Sequence, residues 1–137
     1  TPPNAATGIN YRPVLSLTTE MATVLVVEDS QFQQQMLSDI LSQEHEVVGV
    51  AETGTEGVKM AAELSPELIT MDIIMPEMDG IEAVERIRDR GIDVPIVMCT
   101  SVEQTEKMKQ AVVAGADQYL TKPYHETTVL ETIRDVL

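Results

Sequence analysis

Five residues of this chain carry groups suited to metal or phosphate chemistry, and each falls where an apolar run ends. Glu28 and Asp29 follow the run 24–27, Asp72 follows 68–71, Thr100 follows 96–99 and Lys122 follows 118–121. Three carboxylates in one pocket would repel one another and hold protons unless a cation shared the space. A hard divalent ion resolves this, and Mg²⁺ characteristically takes one or two carboxylates plus waters and a phosphate. A carboxylate at the tip of a central strand can also act as a nucleophile and form an acyl phosphate. Asp72 would then accept the phosphoryl group, while the cation, the Lys122 ammonium and the Thr100 hydroxyl neutralise its oxygens.

Residues so far apart in sequence meet only if the strand tips that carry them converge. Open parallel α/β sheets bind ligands at the carboxyl ends of their strands, where strand order reverses. The pattern supplies such a sheet. Strands are expected near 23–28, 46–51, 68–72, 95–99 and 118–121, alternating with helices near 31–43, 55–64, 80–90, 103–114 and 126–136. The strands read as Val, Ile, Leu and Met runs, the mark of parallel strands buried on both faces. The first helix spaces Phe32, Met36, Leu37, Ile40 and Leu41 along one stripe. Ser30 with Gln33 makes a capping box for it, and Gly91 and Gly115 fall at C′ positions. Pro66 and Pro95 punctuate the chain just before strands. The result is a doubly wound (βα)5 α/β fold.

Composition narrows the class. The chain has 137 residues, which suits one core, and is 43% hydrophobic with only 3% aromatics and no Trp, so that core must be aliphatic and Met-rich. A single cysteine, Cys99, excludes an internal disulfide and fits a reducing cytosol. No apolar run approaches the roughly 20 residues of a membrane span, and no signal peptide is recognisable, so a cytoplasmic protein without membrane insertion is expected. The net charge of −14, with only 9 Lys and Arg, argues against direct nucleic-acid binding and fits solvation in concentrated salt, as in halophiles. Residues 1–20 hold three prolines and no sustained periodicity, and their two charges, Arg12 and Glu20, cancel. They read as a tail, non-native or disordered, ahead of a domain spanning 21–137.

The motifs are family-specific. Val-Leu-Val-Val-Glu28-Asp29-Ser, Met71-Asp72-Ile-Ile-Met75-Pro76-Glu-Met78-Asp79-Gly80, Met-Cys-Thr100-Ser and Ala114-Gly115-Ala116-Asp117-Gln-Tyr119-Leu-Thr-Lys122-Pro123 occur in that order. Over nearly all of 21–137 this resembles a response-regulator receiver domain, and in particular stand-alone chemotaxis-type regulators. The resemblance implies the flavodoxin-like strand order 2-1-3-4-5, for which the chemotaxis regulator is a standard example. It implies Asp72 as phosphoacceptor for a sensor histidine kinase, in a protein that promotes its own phosphorylation and dephosphorylation without being a conventional enzyme. Asp29, Asp72 and the Ile74 backbone carbonyl would bind Mg²⁺, or Mn²⁺ in its place, with Glu28 acting through water. Lys122 would contact the phosphoryl group. Thr100 and Tyr119 would be the switch pair, the aromatic ring following the Thr hydroxyl inward. A downstream protein would bind the face made by the fourth helix, fifth strand and fifth helix. Glu28-Asp29 stands where Asp-Asp is commoner. Ile74 and Val102 are apolar where some members are polar, which bears on the dephosphorylation rate.

Several residues have simpler readings. Thr100 and Ser101 precede Glu103 and Gln104 by three residues and so read as N-caps of the fourth helix. Lys122-Pro123 alone is an ordinary loop dipeptide. Cys99 reads as core, and Met75 and Met78 as packing around the Asp72 loop. Neither His45 nor His125 falls at a strand tip, which counts against a phosphohistidine carrier or a zinc site. Competing functions are a receiver cut from a longer transcription regulator, a Mg²⁺-dependent aspartyl-phosphate phosphohydrolase and a flavodoxin-type nucleotide binder. The phosphohydrolase would lack its Asp-x-Asp pair and cap domain. The nucleotide binder would have an acidic first turn where Gly-rich turns cradle phosphates.

Overall fold

The computed structural model describes residues 21–137; the expected tail, 1–20, lies outside the described residues. Five strands, β1 (Thr23–Val27), β2 (Glu46–Ala51), β3 (Leu68–Asp72), β4 (Ile96–Thr100) and β5 (Gln118–Thr121), form one parallel sheet of order β2-β1-β3-β4-β5. The helices are α1 (Gln31–Leu41), α2 (Gly54–Leu64), α3 (Gly80–Asp89), α4 (Thr105–Ala114) and α5 (Glu126–Val136). The flavodoxin-like (βα)5 expectation holds.

Alternation along the strands divides the core in two. Leu25, Val27, Ile69, Met71, Ile96 and Met98 face α2, α3 and α4, while Val24, Val26, Leu68, Val97 and Cys99 face α1 and α5. Full burial of each Leu, Ile or Met contributes roughly 1.5–3 kcal/mol. The two-faced burial read from the strand runs holds for β3 and β4 and nearly all of β1, but not at the edges of the sheet. Glu46 and Val50 of β2 and Tyr119 and Thr121 of β5 are exposed.

Three local expectations need correction. Phe32 is not part of the buried stripe of α1 but 69% exposed, whereas Leu37 and Leu41 are buried and Met36 and Ile40 pack beside them. The helix starts at the tip of β1 and runs back along the sheet, so its first turn overhangs the strand ends. The Ser30–Gln33 box is half formed. Ser30 Oγ accepts from Gln33 N at 3.3 Å, but the Ser30 N–H is taken by Glu28 Oε2 at 3.0 Å. The fourth helix begins at Thr105 rather than near 103, after a short 3-10 turn, Val102–Gln104.

Two neighbouring helices are held very differently. In α3, Ile81, Ala83, Val84 and Ile87 are buried, and Asp79 Oδ1 caps the first turn by accepting from Glu82 N. Arg88 in its last turn donates to the carbonyls of Ile92, Val94 and Gly115 and to Asp117 Oδ2, all within 3.1 Å. In α4 only Ala111 is fully buried among the described residues, its N-terminus has no side-chain cap, and Val112 and Val113 are 61% and 88% exposed.

Candidate functional site

The register sets the site. Val27 pairs with Met71, Asp72 with Cys99 and Thr100 with Thr121, so the C-terminal tips of β1, β3, β4 and β5 end at nearly one level. Glu28 and Asp72 are buried and Asp29 is exposed, and one oxygen from each lies within 4.8 Å of the others. Lys122 reaches into the same space, its Nζ 2.9 Å from Glu28 Oε1 and 3.2 Å from Asp72 Oδ1. The Lys122–Pro123 peptide that leads on from it is cis. Asp72 Oδ1 also accepts from the Ile73 N–H at 2.9 Å, so both bonds to this carboxylate fall on one oxygen. Glu28 is tied at both ends of its carboxylate, by Lys122 and by the Ser30 N–H, and its carbonyl accepts from Gln34 Nε2 at 2.6 Å.

Burial, and then the neighbouring Glu28, push the Asp72 carboxyl up to about 6 against the pull of Lys122. For Lys122 burial opposes the charged form, but its bond to Glu28 and the two carboxylates outweigh burial and raise its value. One ammonium therefore faces three carboxylates, and the pocket keeps an excess of negative charge. Hard oxygen donors with uncompensated charge are the donor set of Mg²⁺ or Mn²⁺, so the residues present fit a divalent cation.

The loop after Asp72 is shaped by close approach. Gly80 N donates to Ile73 O at 2.7 Å, and a Cβ on Gly80 would stand 2.0 Å from the Asp72 carbonyl oxygen. Glu77 adopts a left-handed φ of 71° within the turn. Met75 is buried and Met78 packs on the core, as their packing role required, while Ile74 and Val102 stand 47% and 67% exposed beside the site.

Residues 24–134 match the profile of the response regulator receiver domain. The chain belongs to that family. This receiver domain is 49% identical over 114 residues to a chemotaxis protein CheY from Halobacterium salinarum, covering 83% of this chain and 95% of that one. It is 41% identical over 115 residues to the CheY of Bacillus subtilis, covering 83% and 96%. Among solved structures, chemotaxis protein CheY4 of Vibrio cholerae superposes with a TM-score of 0.79 at 35% identity, covering 85% of this chain and 99% of that one.

The receiver domain does not bring every expected residue into one cluster. Thr100 is buried, but its hydroxyl bonds to Ser101 O at 3.0 Å and Gln104 Oε1 at 3.3 Å rather than to Lys122 or Asp72. Tyr119 is half exposed on β5, level with Met98 and two residues below the Thr100–Thr121 pair, and lines a groove of about 340 Å³ with Thr128 and Thr132 of α5. Cys99 is buried, with its thiol pushed up to about 12 by burial. His45 is buried at the opposite end of the sheet, accepting from Ala22 N on Nδ1, and His125 precedes α5 without a capping bond. Neither histidine joins the cluster. Sequence reasoning missed the Ser30 N–H, Gln34 and Gln104. The Ser101–Gln104 spacing was the signal for Gln104, read there only as a cap.

Proposed function

We propose that this receiver domain is a phosphorylation-dependent signalling switch whose phosphoacceptor is Asp72. The carrying observation is a buried carboxylate at a central strand tip, flanked by Glu28, Asp29 and Lys122, with both of its protein bonds on Oδ1. The other oxygen, Oδ2, is positioned to attack the phosphorus of a phosphohistidine on a sensor histidine kinase. The new O–P bond forms as the P–N bond breaks, and the electron pair leaves on the kinase imidazole. Lys122 binds a phosphoryl oxygen and stabilises the charge that develops. Asp29, Asp72 and the Ile74 carbonyl would hold Mg²⁺ or Mn²⁺, with Glu28 acting through water, and the cation when bound would supply the remaining charge neutralisation. The Thr100 hydroxyl then turns to the phosphoryl group and Tyr119 follows it, altering the face of α4, β5 and α5 for a downstream protein.

The similarity to CheY proteins over nearly their whole length supports a chemotaxis or motility output. Labelling with a small phosphodonor such as acetyl phosphate tests the reading. Label should appear only with Mg²⁺ or Mn²⁺ and vanish in Asp72→Asn. Label that survives in that variant places the phosphoacceptor elsewhere.

Residues 21–137 act alone in this reading, since every site residue lies between Glu28 and Lys122; a chain that starts at Met21 should bind Mg²⁺ and melt as the whole chain does. The net charge of −14 and the likeness to a Halobacterium protein further support a halophilic protein. Its melting temperature should climb between about 0.01 M and molar KCl, as the Debye length falls from about 30 Å to about 3 Å. A flat profile would overturn the halophilic reading and leave the receiver assignment standing.

A further inference from the structure

In the turn between β4 and α4 the Gln104 side chain bonds back onto the end of the strand. Gln104 Oε1 accepts from the Ser101 N–H at 3.1 Å and from the Thr100 hydroxyl at 3.3 Å, while Gln104 N donates to Ser101 O at 3.0 Å. Ser101 N has only a hydrogen to offer, so the amide atom facing it must be the oxygen, and the orientation of the Gln104 side chain follows. Both lone pairs of that oxygen are then in use. Gln104 also heads α4, yet its side chain makes no bond to the helix and reaches back over the turn instead. The Thr100 hydroxyl has one proton, shared between Gln104 Oε1 and Ser101 O.

We propose that Gln104 is a positioning residue that holds the Thr100 hydroxyl off the phosphoacceptor pocket and couples its release to the start of α4. The proposal rests on the reading of Thr100 as the switch. In the unphosphorylated protein Gln104 favours the observed hydroxyl setting. When the hydroxyl turns to a phosphoryl oxygen on Asp72, Gln104 loses a donor and the turn 102–104 is loosened. The helix that follows has a single fully buried residue, Ala111, among those described, so it shifts at low cost. A net hydrogen bond of ordinary strength corresponds to about a five-fold change in the ratio of the two hydroxyl settings.

The test is NMR of the full chain, with and without Mg²⁺ and beryllofluoride as phosphate mimic, for wild type, Gln104→Ala and Gln104→Glu. In wild type the mimic should move the signals of Thr100, Tyr119 and the first turn of α4 together. Without mimic, Gln104→Ala should already lie displaced along the same line, with about a five-fold larger active fraction and an unchanged fold by circular dichroism. Gln104→Glu, which keeps an acceptor in place, should return to the wild-type position. If the mimic moves wild type but metal- and mimic-free Gln104→Ala overlays wild type, the latch is overturned and the switch reading stands. If the mimic leaves wild-type Thr100 and Tyr119 unmoved, the switch reading falls and the latch with it. Signals of Gln104→Ala displaced off the line also overturn the latch, because they report a local repacking only.

Discussion

Helices α3 and α4 lie side by side on the same face of the sheet, and each follows a strand tip that enters the site. The first is fixed at both ends: Gly80 is pressed against the Asp72 carbonyl, and Arg88 ties the last turn to three carbonyls and Asp117. The second is held at its far end by the same Arg88, which bonds its C-cap carbonyl at Gly115, and in the middle by Ala111 with Met108 and Ala114 partly buried beside it. Its start has no side-chain cap and follows a turn whose bonds involve Gln104. A phosphoacceptor must keep its geometry whether or not phosphate is present, since attack requires near-contact alignment. An element that reports phosphate must instead have two settings of similar energy. Under the proposed function, the contrast fits the fixed task to the β3–α3 side and the movable one to the β4–α4 side.

The largest effect should come from Gly80→Ala. Its Cβ would overlap backbone rather than a flexible side chain, so the loop must shift, and urea denaturation should register a loss above about 3 kcal/mol. A loss below about 1 kcal/mol would mean that the β3–α3 loop is as pliable as its neighbour. Arg88→Met comes next. It removes five donated bonds, and a loss of about 2–4 kcal/mol is expected; a near-neutral result would mean that the far end of α3 needs no tie.

Third is Asp72 itself, with metal removed by a chelator. Its folded value of about 6 lies above the ordinary 3.8, so the folded state binds the proton more tightly than the unfolded chain. Well below pH 3.8 the carboxyl is protonated in both states and no penalty exists. As pH rises through about 6 the penalty grows to its full size, on the order of 2–3 kcal/mol. Metal-free wild type should therefore lose stability relative to Asp72→Asn between pH 4 and 7. Identical profiles would show that neither burial nor the neighbouring Glu28 penalises the Asp72 carboxylate on the fixed side of the molecule. The smallest effect belongs to α4: Val113→Ser, at a side chain 88% exposed, should change stability by no more than about 0.5 kcal/mol. A loss comparable to that of Arg88→Met would erase the contrast.

The site was legible because its residues sit at strand tips, and apolar runs reveal strand tips well. Glu28, Asp29, Asp72 and Lys122 meet as their positions implied. Phe32 was misread because helical periodicity states which residues share a side and not where the sheet beneath them stops. The two Ser-x-x-Gln spacings looked alike in sequence but formed opposite halves of a capping box. At Ser30 the hydroxyl caps the helix and Glu28 takes the backbone N–H, while at Ser101 the glutamine takes the N–H. Only the presence of a buried carboxylate near Ser30 separates the two, and that is a tertiary fact. The orientation of the Thr100 hydroxyl was equally invisible, since a threonine at a strand tip has several acceptors within reach.

Cys99 gives this molecule a chemical clock. It is the sole cysteine, and it lies 2% exposed in β4 immediately before Thr100, with its thiol raised to about 12 by burial. Burial therefore keeps the folded protein's thiol protonated at pH 7, and alkylating reagents need the thiolate. Alkylation must wait until β4 separates from its covering helices. The rate at which iodoacetamide consumes the thiol thus counts openings of the strand that bears Thr100, with no label introduced. Run against added Mg²⁺, that rate would report how strongly cation binding at the strand tips holds the sheet closed.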